Sequence, residues 1–197
     1  MTEEEKARKV SAIKRINERL AAIGREFGKD SELYQRFKNA ITLSVPEDAR
    51  TGSGTISRST KTLDKISDDT INALLQHHTV GQIKQTAREQ IARDNGKSPK
   101  QVTSKEISQY INIMDEVTKY LNTLTKEESG FYKRYWDHAG AGAPRPSYSI
   151  LKSMIDSDKD AAHLRSMGKE EEAALVEDKL TKRIEAEARS IEEVYFT

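Results

Sequence analysis

The sequence predicts an all-α, elongated multi-helix protein with coiled-coil-like helix packing and a C-terminal helical region of separate character. Three observations predict it. Apolar residues recur every three or four positions through most of the chain, the period of a helix and not of a strand. Several of these runs are headed by Ser or Thr with Glu or Gln three residues on, the pattern of a capping box. The 4 prolines all fall between the runs, where they break nothing.

Thr2 and Glu5 cap the first helix, along which Val10, Ile13, Ile16, Leu20, Ile23 and Phe27 form one stripe and after which Gly28 can end it. Lys14, Arg15, Arg19 and Arg25 lie off that stripe. A second helix starts at Ser31, buries Tyr34, Phe37 and Ile41, and stops before Pro46. Residues 44–62, SVPEDARTGSGTISRSTKT, carry no period and read as a linker or extended arm. Its GSG lacks the G-K-[ST] ending of a phosphate loop, although Arg58 and Lys61 among small hydroxyl residues suit phosphate contacts.

Helices resume at Ser67, where Asp68 and Asp69 suit the positive end of the helix dipole. Thr79 and Gln82 cap the next helix, which carries Val80, Ile83, Ala87 and Ile91 to a stop at Asn95-Gly96. The two short helices flanking His77-His78 have helix–turn–helix spacing, which ordinary helical hairpins share. Adjacent histidines cannot act as an i, i+4 ligand pair. Thr103 and Glu106 cap a long helix running to Leu124, and Thr125 and Glu128 the one after it. The FYKRYW cluster of that helix is expected to be core, with base stacking as the functional alternative. HAGAGAPRP, residues 138–146, breaks the pattern.

Beyond the breaker, Ser147 caps a short helix with Ile150, Leu151, Met154 and Ile155 buried. Asp-Ser-Asp-Lys-Asp, 156–160, then reads as an acidic elbow that places Ser157 in a loop between helices. The last helix carries Ala173, Val176, Leu180, Ile184, Ala188, Ile191 and Val194, a narrow seam for a neighbouring helix. The expected organisation is a basic helical hairpin (1–43), a linker (44–62), an intermediate helical region (63–138), a breaker loop (139–146) and an acidic helical region (147–197).

A hydrophobic fraction of 35% beside a charged fraction of 33% suits narrow stripes better than a thick core. The absence of cysteine excludes disulfides and thiolate metal sites. No apolar run approaches membrane-spanning length and the acidic N-terminus is unlike a signal peptide, so a soluble, intracellular protein without membrane contact is expected. The net charge of +1 hides an asymmetry: residues 1–150 hold 25 Lys and Arg against 20 Asp and Glu, and residues 151–197 hold 8 against 12. Lys14, Arg15, Arg19, Arg25, Arg58 and Lys61 are the candidate DNA-phosphate contacts. There is no nucleophile elbow, no H-E-x-x-H and no zinc ligand set, and no catalytic activity is expected.

The run Tyr148-Ser149-Ile150-Leu151-Lys152-Ser153-Met154-Ile155 leading into Ser157 resembles the priming region of terminal proteins from small protein-primed tailed phages. The likeness covers the C-terminal third. It implies that a side-chain hydroxyl replaces the 3′-OH of a nucleic acid primer and that a family B DNA polymerase joins the first dNMP to it. Ser157 occupies the matching place, with Ser153, Ser149 and Tyr148 in reserve. The resemblance further implies a nucleotide acceptor without a cofactor of its own, the Mg or Mn ions belonging to the polymerase. Its implied partners are that polymerase and DNA, with helix seams open to self-association. The protein would stay on the 5′ DNA end, in the host cytoplasm or nucleoid and in the virion. Two other readings stand beside it: a helical phage structural or assembly protein, and a helical DNA-binding protein without sequence preference.

Overall fold

The computed structural model describes residues 1–124 and 148–196, with side chains omitted at 148–151, 154, 183–185 and 187–196. The protein is all-α: the described residues form seven α-helices, a few 3-10 turns and one isolated β-bridge. They divide into two compact units, Met1–Thr103 and Ser104–Thr197. The breaker at 139–146, the FYKRYW cluster and the helix expected from Thr125 lie outside the described residues.

In the first unit, α1 (Glu3–Phe27) packs against α2 (Glu32–Ser44), α3 (Asp68–Leu75) and α4 (Val80–Asp94). The helix starts follow local chemistry. Thr2 and Thr79 close capping boxes with Glu5 and Gln82, and the Ser31 and Ser67 hydroxyls accept the N–H groups of Tyr34 and Thr70. Each supplies an acceptor for an amide that the helix itself cannot satisfy. Ile13, Ile16, Leu20 and Ile23 of α1 meet Tyr34, Phe37 and Ile41 of α2 and Ile71 and Leu74 of α3 in one core. Full burial of each such side chain is worth about 2 kcal/mol. Gly24 permits the α1–α2 approach, since a Cβ there would lie 3.0 Å from the Tyr34 ring.

Residues 44–62 correct the expectation of a linker. Val45, Ala49 and Ile56 are buried in the same core, followed by Leu63 and Ile66. Pro46 opens a 3-10 turn over Glu47–Ala49, and Arg50 and Ile56 pair as an antiparallel bridge. The GSG motif forms the tip of that small hairpin, where the Thr51 N–H donates to the Thr55 carbonyl at 2.8 Å. The segment stays down because α1 supplies what a neighbouring strand would. Asn17 Nδ2 donates to the Ile56 carbonyl and the Ile56 N–H donates to Asn17 Oδ1, both at 2.9 Å. Further along, Lys9 Nζ donates to the Leu63 carbonyl at 2.9 Å. Isolated apolar residues with irregular spacing have no period to read, yet three-dimensional packing uses them.

In the second unit, α5 (Ser104–Thr123) packs against α6 (Tyr148–Ser166), and α6 against α7 (Glu170–Phe196). Val117, Ile155 and Leu180 bring one residue from each helix into a core bordered by Met114, Tyr120 and Leu121. The turn between α6 and α7 is a Schellman motif. The Lys169 N–H reaches the Leu164 carbonyl at 2.9 Å and the Gly168 N–H reaches Arg165 at 3.0 Å. Gly168 has φ +76° there, a conformation open to glycine at no steric cost. On α7, Ala173 and Leu180 are buried and Val176 half-buried, as the seam predicts. Ile184, Ala188, Ile191 and Val194 lie outside the described side chains.

Candidate functional site

The six basic residues chosen from the sequence fall in different surroundings. Lys14, Arg15 and Arg25 are exposed on α1. Lys14 lies 4.0 Å from Glu18 at the surface, a pair worth little in water. Arg58 and Lys61 are also exposed. They sit between the Asn17 and Lys9 anchors of the packed segment, which brings them alongside the part of α1 that carries Lys14.

Arg19 has another task. Its Nη1 donates to the Leu75 carbonyl at 2.6 Å and to the His77 carbonyl at 2.7 Å. The guanidinium thereby satisfies carbonyls at the C-terminus of α3 that lack helical partners. Burial and the neighbouring Arg15 charge lower its pKa. The expectation of Arg19 as a free phosphate ligand is corrected to this extent: one of its two terminal nitrogens is held by the fold.

Beyond Arg19 a cleft of about 410 Å³ opens, lined by Ile23 of α1, Leu33, Arg36 and Phe37 of α2, Ala73 of α3, Gln76, His77 and His78 of the turn, and Ile83 of α4. The Phe37 and His77 rings lie 5.1 Å apart, tilted by 32°. Burial, then the charges of Arg19, His78 and Arg36, holds the His77 imidazole below its ordinary pKa. The adjacent histidines thus form part of a basic, half-apolar cleft. Sequence reasoning missed it because four helices and a turn contribute. Among the described residues, no group of three His, Asp or Glu is placed to hold a metal ion.

The acidic elbow is corrected in the second unit. Residues 156–160 continue α6 without interruption, so Ser157 stands in mid-helix and half-buried, not in a loop. Asp, Ser and Lys cost only a few tenths of a kcal/mol each as helix residues, and the stretch holds neither Gly nor Pro. Ile155 at 2% exposure and Ala161 at 1% pin both ends against neighbouring helices. Between them Lys159 Nζ lies 5.6 Å from the centre of the Tyr120 ring on α5. Burial and the Glu177 charge push the Asp158 carboxyl up from its ordinary range, against a lowering by Arg165. Asp156 is exposed and Ser153 half-buried. Tyr148 and Ser149 form the first turn of α6, and their side chains lie outside the description.

The turn of this hairpin comes later, at Met167 and Gly168. Ser166 is exposed beside it, its hydroxyl donating to the His163 carbonyl at 2.6 Å. Arg165 braces the turn through Glu170 at 3.1 Å and through Glu177. The signal that locates the turn here was Gly168, not the run of aspartates. The chain matches no family model, no curated protein and no solved structure.

Proposed function

We propose that this chain is a DNA terminal protein, holding DNA phosphates with its first unit and offering a hydroxyl of its second as the primer for a family B DNA polymerase. The observation that carries the reading is the distribution of charge between the two units. Residues 1–103 hold 19 Lys and Arg against 14 Asp and Glu, a balance of +5, and residues 104–197 hold 14 against 18, a balance of −4. A cationic unit attracts phosphates, and an anionic one suits a polymerase channel made positive to hold duplex DNA. Lys14, Arg15, Arg25, Arg58 and Lys61 are the exposed cations for the first task.

In the priming step the serine oxygen attacks the α-phosphorus of the first dNTP. The bond to the β-phosphate breaks, pyrophosphate leaves with the electron pair, and the hydroxyl proton passes to water. The polymerase's two Mg or Mn ions supply the charge stabilisation, so this chain supplies a nucleophile and its placement. Ser157 and Ser153 lie inside α6 and require it to unwind locally; Ser166, the last residue of α6, borders the hairpin turn and requires less.

Incubation with the polymerase of the same genome, metal and labelled dNTP tests the reading. A labelled protein band that survives denaturation is expected. Loss of label in Ser157→Ala identifies the helix position, and loss in Ser166→Ala identifies the turn. Absence of any label with a polymerase active on DNA primers refutes the priming role. A second reading, a helical DNA-binding protein with no covalent step, is favoured by the unbroken course of α6. Salt-sensitive DNA binding without labelling would select it.

A further inference from the structure

The cleft of the first unit pairs a basic rim with an apolar floor. Arg36, Gln76 and His78 are exposed on its rim, His77 is half-buried, and Ile23, Leu33, Phe37 and Ile83 supply the apolar surface. None of the lining residues is acidic. Neither Arg36 nor His78 forms an ion pair with a described residue, whereas many other exposed cations of the chain, such as Lys14, Lys65 and Lys84, stand beside a carboxylate. Behind the rim, Arg19 is held against the His77 carbonyl and adds a fixed positive charge.

We propose that this cleft binds one nucleotide of a single DNA strand, with its phosphate at Arg36 and His78 and its base against His77, Leu33 and Ile83. Three features of the site favour that occupant. Its volume lies at the small end of the range for small-molecule clefts, which suits one nucleotide and not a folded partner. A guanidinium with no ion-pair partner among the described residues is the side chain best matched to a phosphate, which it can engage through two N–H groups. The imidazole of His77, backed by the Phe37 ring at 5.1 Å, gives a flat surface of the kind on which bases stack. A carboxylate peptide could satisfy the cations but would leave that flat surface without a matching group. The inference rests on the reading of the first unit as a phosphate-binding unit and is independent of the priming step.

The test uses the full chain. The chain has 4 histidines, so the imidazole proton resonances of His77 and His78 can be assigned with the His77→Gln and His78→Gln variants and followed by NMR. Probes are inorganic phosphate, dTMP, a short oligo-dT, the same oligomer with abasic sites, a short polyglutamate peptide and a duplex. Saturable shifts of both histidines by dTMP and oligo-dT are expected, with phosphate alone moving mainly His78. Arg36→Ala should weaken oligo-dT binding roughly tenfold, the scale of one charge-assisted phosphate contact. Because Arg36 is exposed, the variant should keep its fold, which the unshifted His163 resonance and the helical circular dichroism verify. His78→Ala gives a second, independent loss.

Equal affinity for the abasic oligomer would overturn the placement of the base, and equal response to polyglutamate would overturn the choice of a nucleotide. No shift with dTMP or oligo-dT would overturn the proposal altogether. Oligo-dT binding that depends on Arg36, in a protein that binds no duplex and accepts no dNMP, would uphold the cleft while removing the terminal-protein reading.

Discussion

Replacing Asn17 with Ala tests how the irregular segment of the first unit is held. The side chain closes two hydrogen bonds with the backbone of Ile56, both at 2.9 Å. Ile56 itself is 1% exposed, so its N–H and C=O would lose their partner where water enters poorly. A net loss of about 1 kcal/mol per bond, raised by the cost of burying the orphaned groups, gives roughly 2–4 kcal/mol. Alanine's better helix propensity returns about 0.5 kcal/mol. For a unit of this size each kcal/mol moves the melting temperature by about 4–8 °C, so a fall of roughly 6–28 °C is expected. Hydrogen exchange on the full chain separates the two units, and the Ile56 amide should lose protection first. Asn17→Asp keeps an acceptor for the Ile56 N–H but no donor for its carbonyl, and should fall between wild type and Ala. An Asn17→Ala protein within about 0.5 kcal/mol of wild type, with Ile56 still protected, would refute the idea that this side chain anchors the segment.

Two further outcomes follow from the geometry. Asp94 ends α4 beside the negative pole of that helix, and burial pushes its carboxyl up, against a lowering by the Gln90 hydrogen bond and Arg93. A carboxyl raised on folding contributes stability below its unfolded pKa and loses it as pH rises through the folded value. Asp94→Asn should therefore stabilise the protein at pH 7, and the gain should vanish below about pH 4. Melts across that range check the sign. In the second unit, Gly168→Ala meets no atom within 4 Å at φ +76°. Its cost should be about 1 kcal/mol, from the backbone alone, seen as faster amide exchange at the Gly168 turn with helix content unchanged.

The helical character and most helix starts of the first unit were legible in the residues themselves. Thr2, Ser31, Ser67 and Thr79 act on amides three residues away, so a local reading contains all the physics. The same holds for the buried stripe of α1. Charge asymmetry was legible too, although the break between the compact units falls at 103–104, between the stop at Asn95-Gly96 and the helix headed by Thr103. What tertiary structure decided depends on partners distant in the chain. Asn17 and Ile56 stand 39 residues apart and Arg19 and His77 58 apart, and no local pattern pairs them. The aspartate run at 156–160 failed as a loop signal because propensity is weak beside packing: Ile155 and Ala161 are each anchored against neighbouring helices. The cleft around His77 is the fullest case. Arg36, His77 and Ile83 come from a helix, a turn and another helix, and only their meeting turns ordinary surface residues into a site.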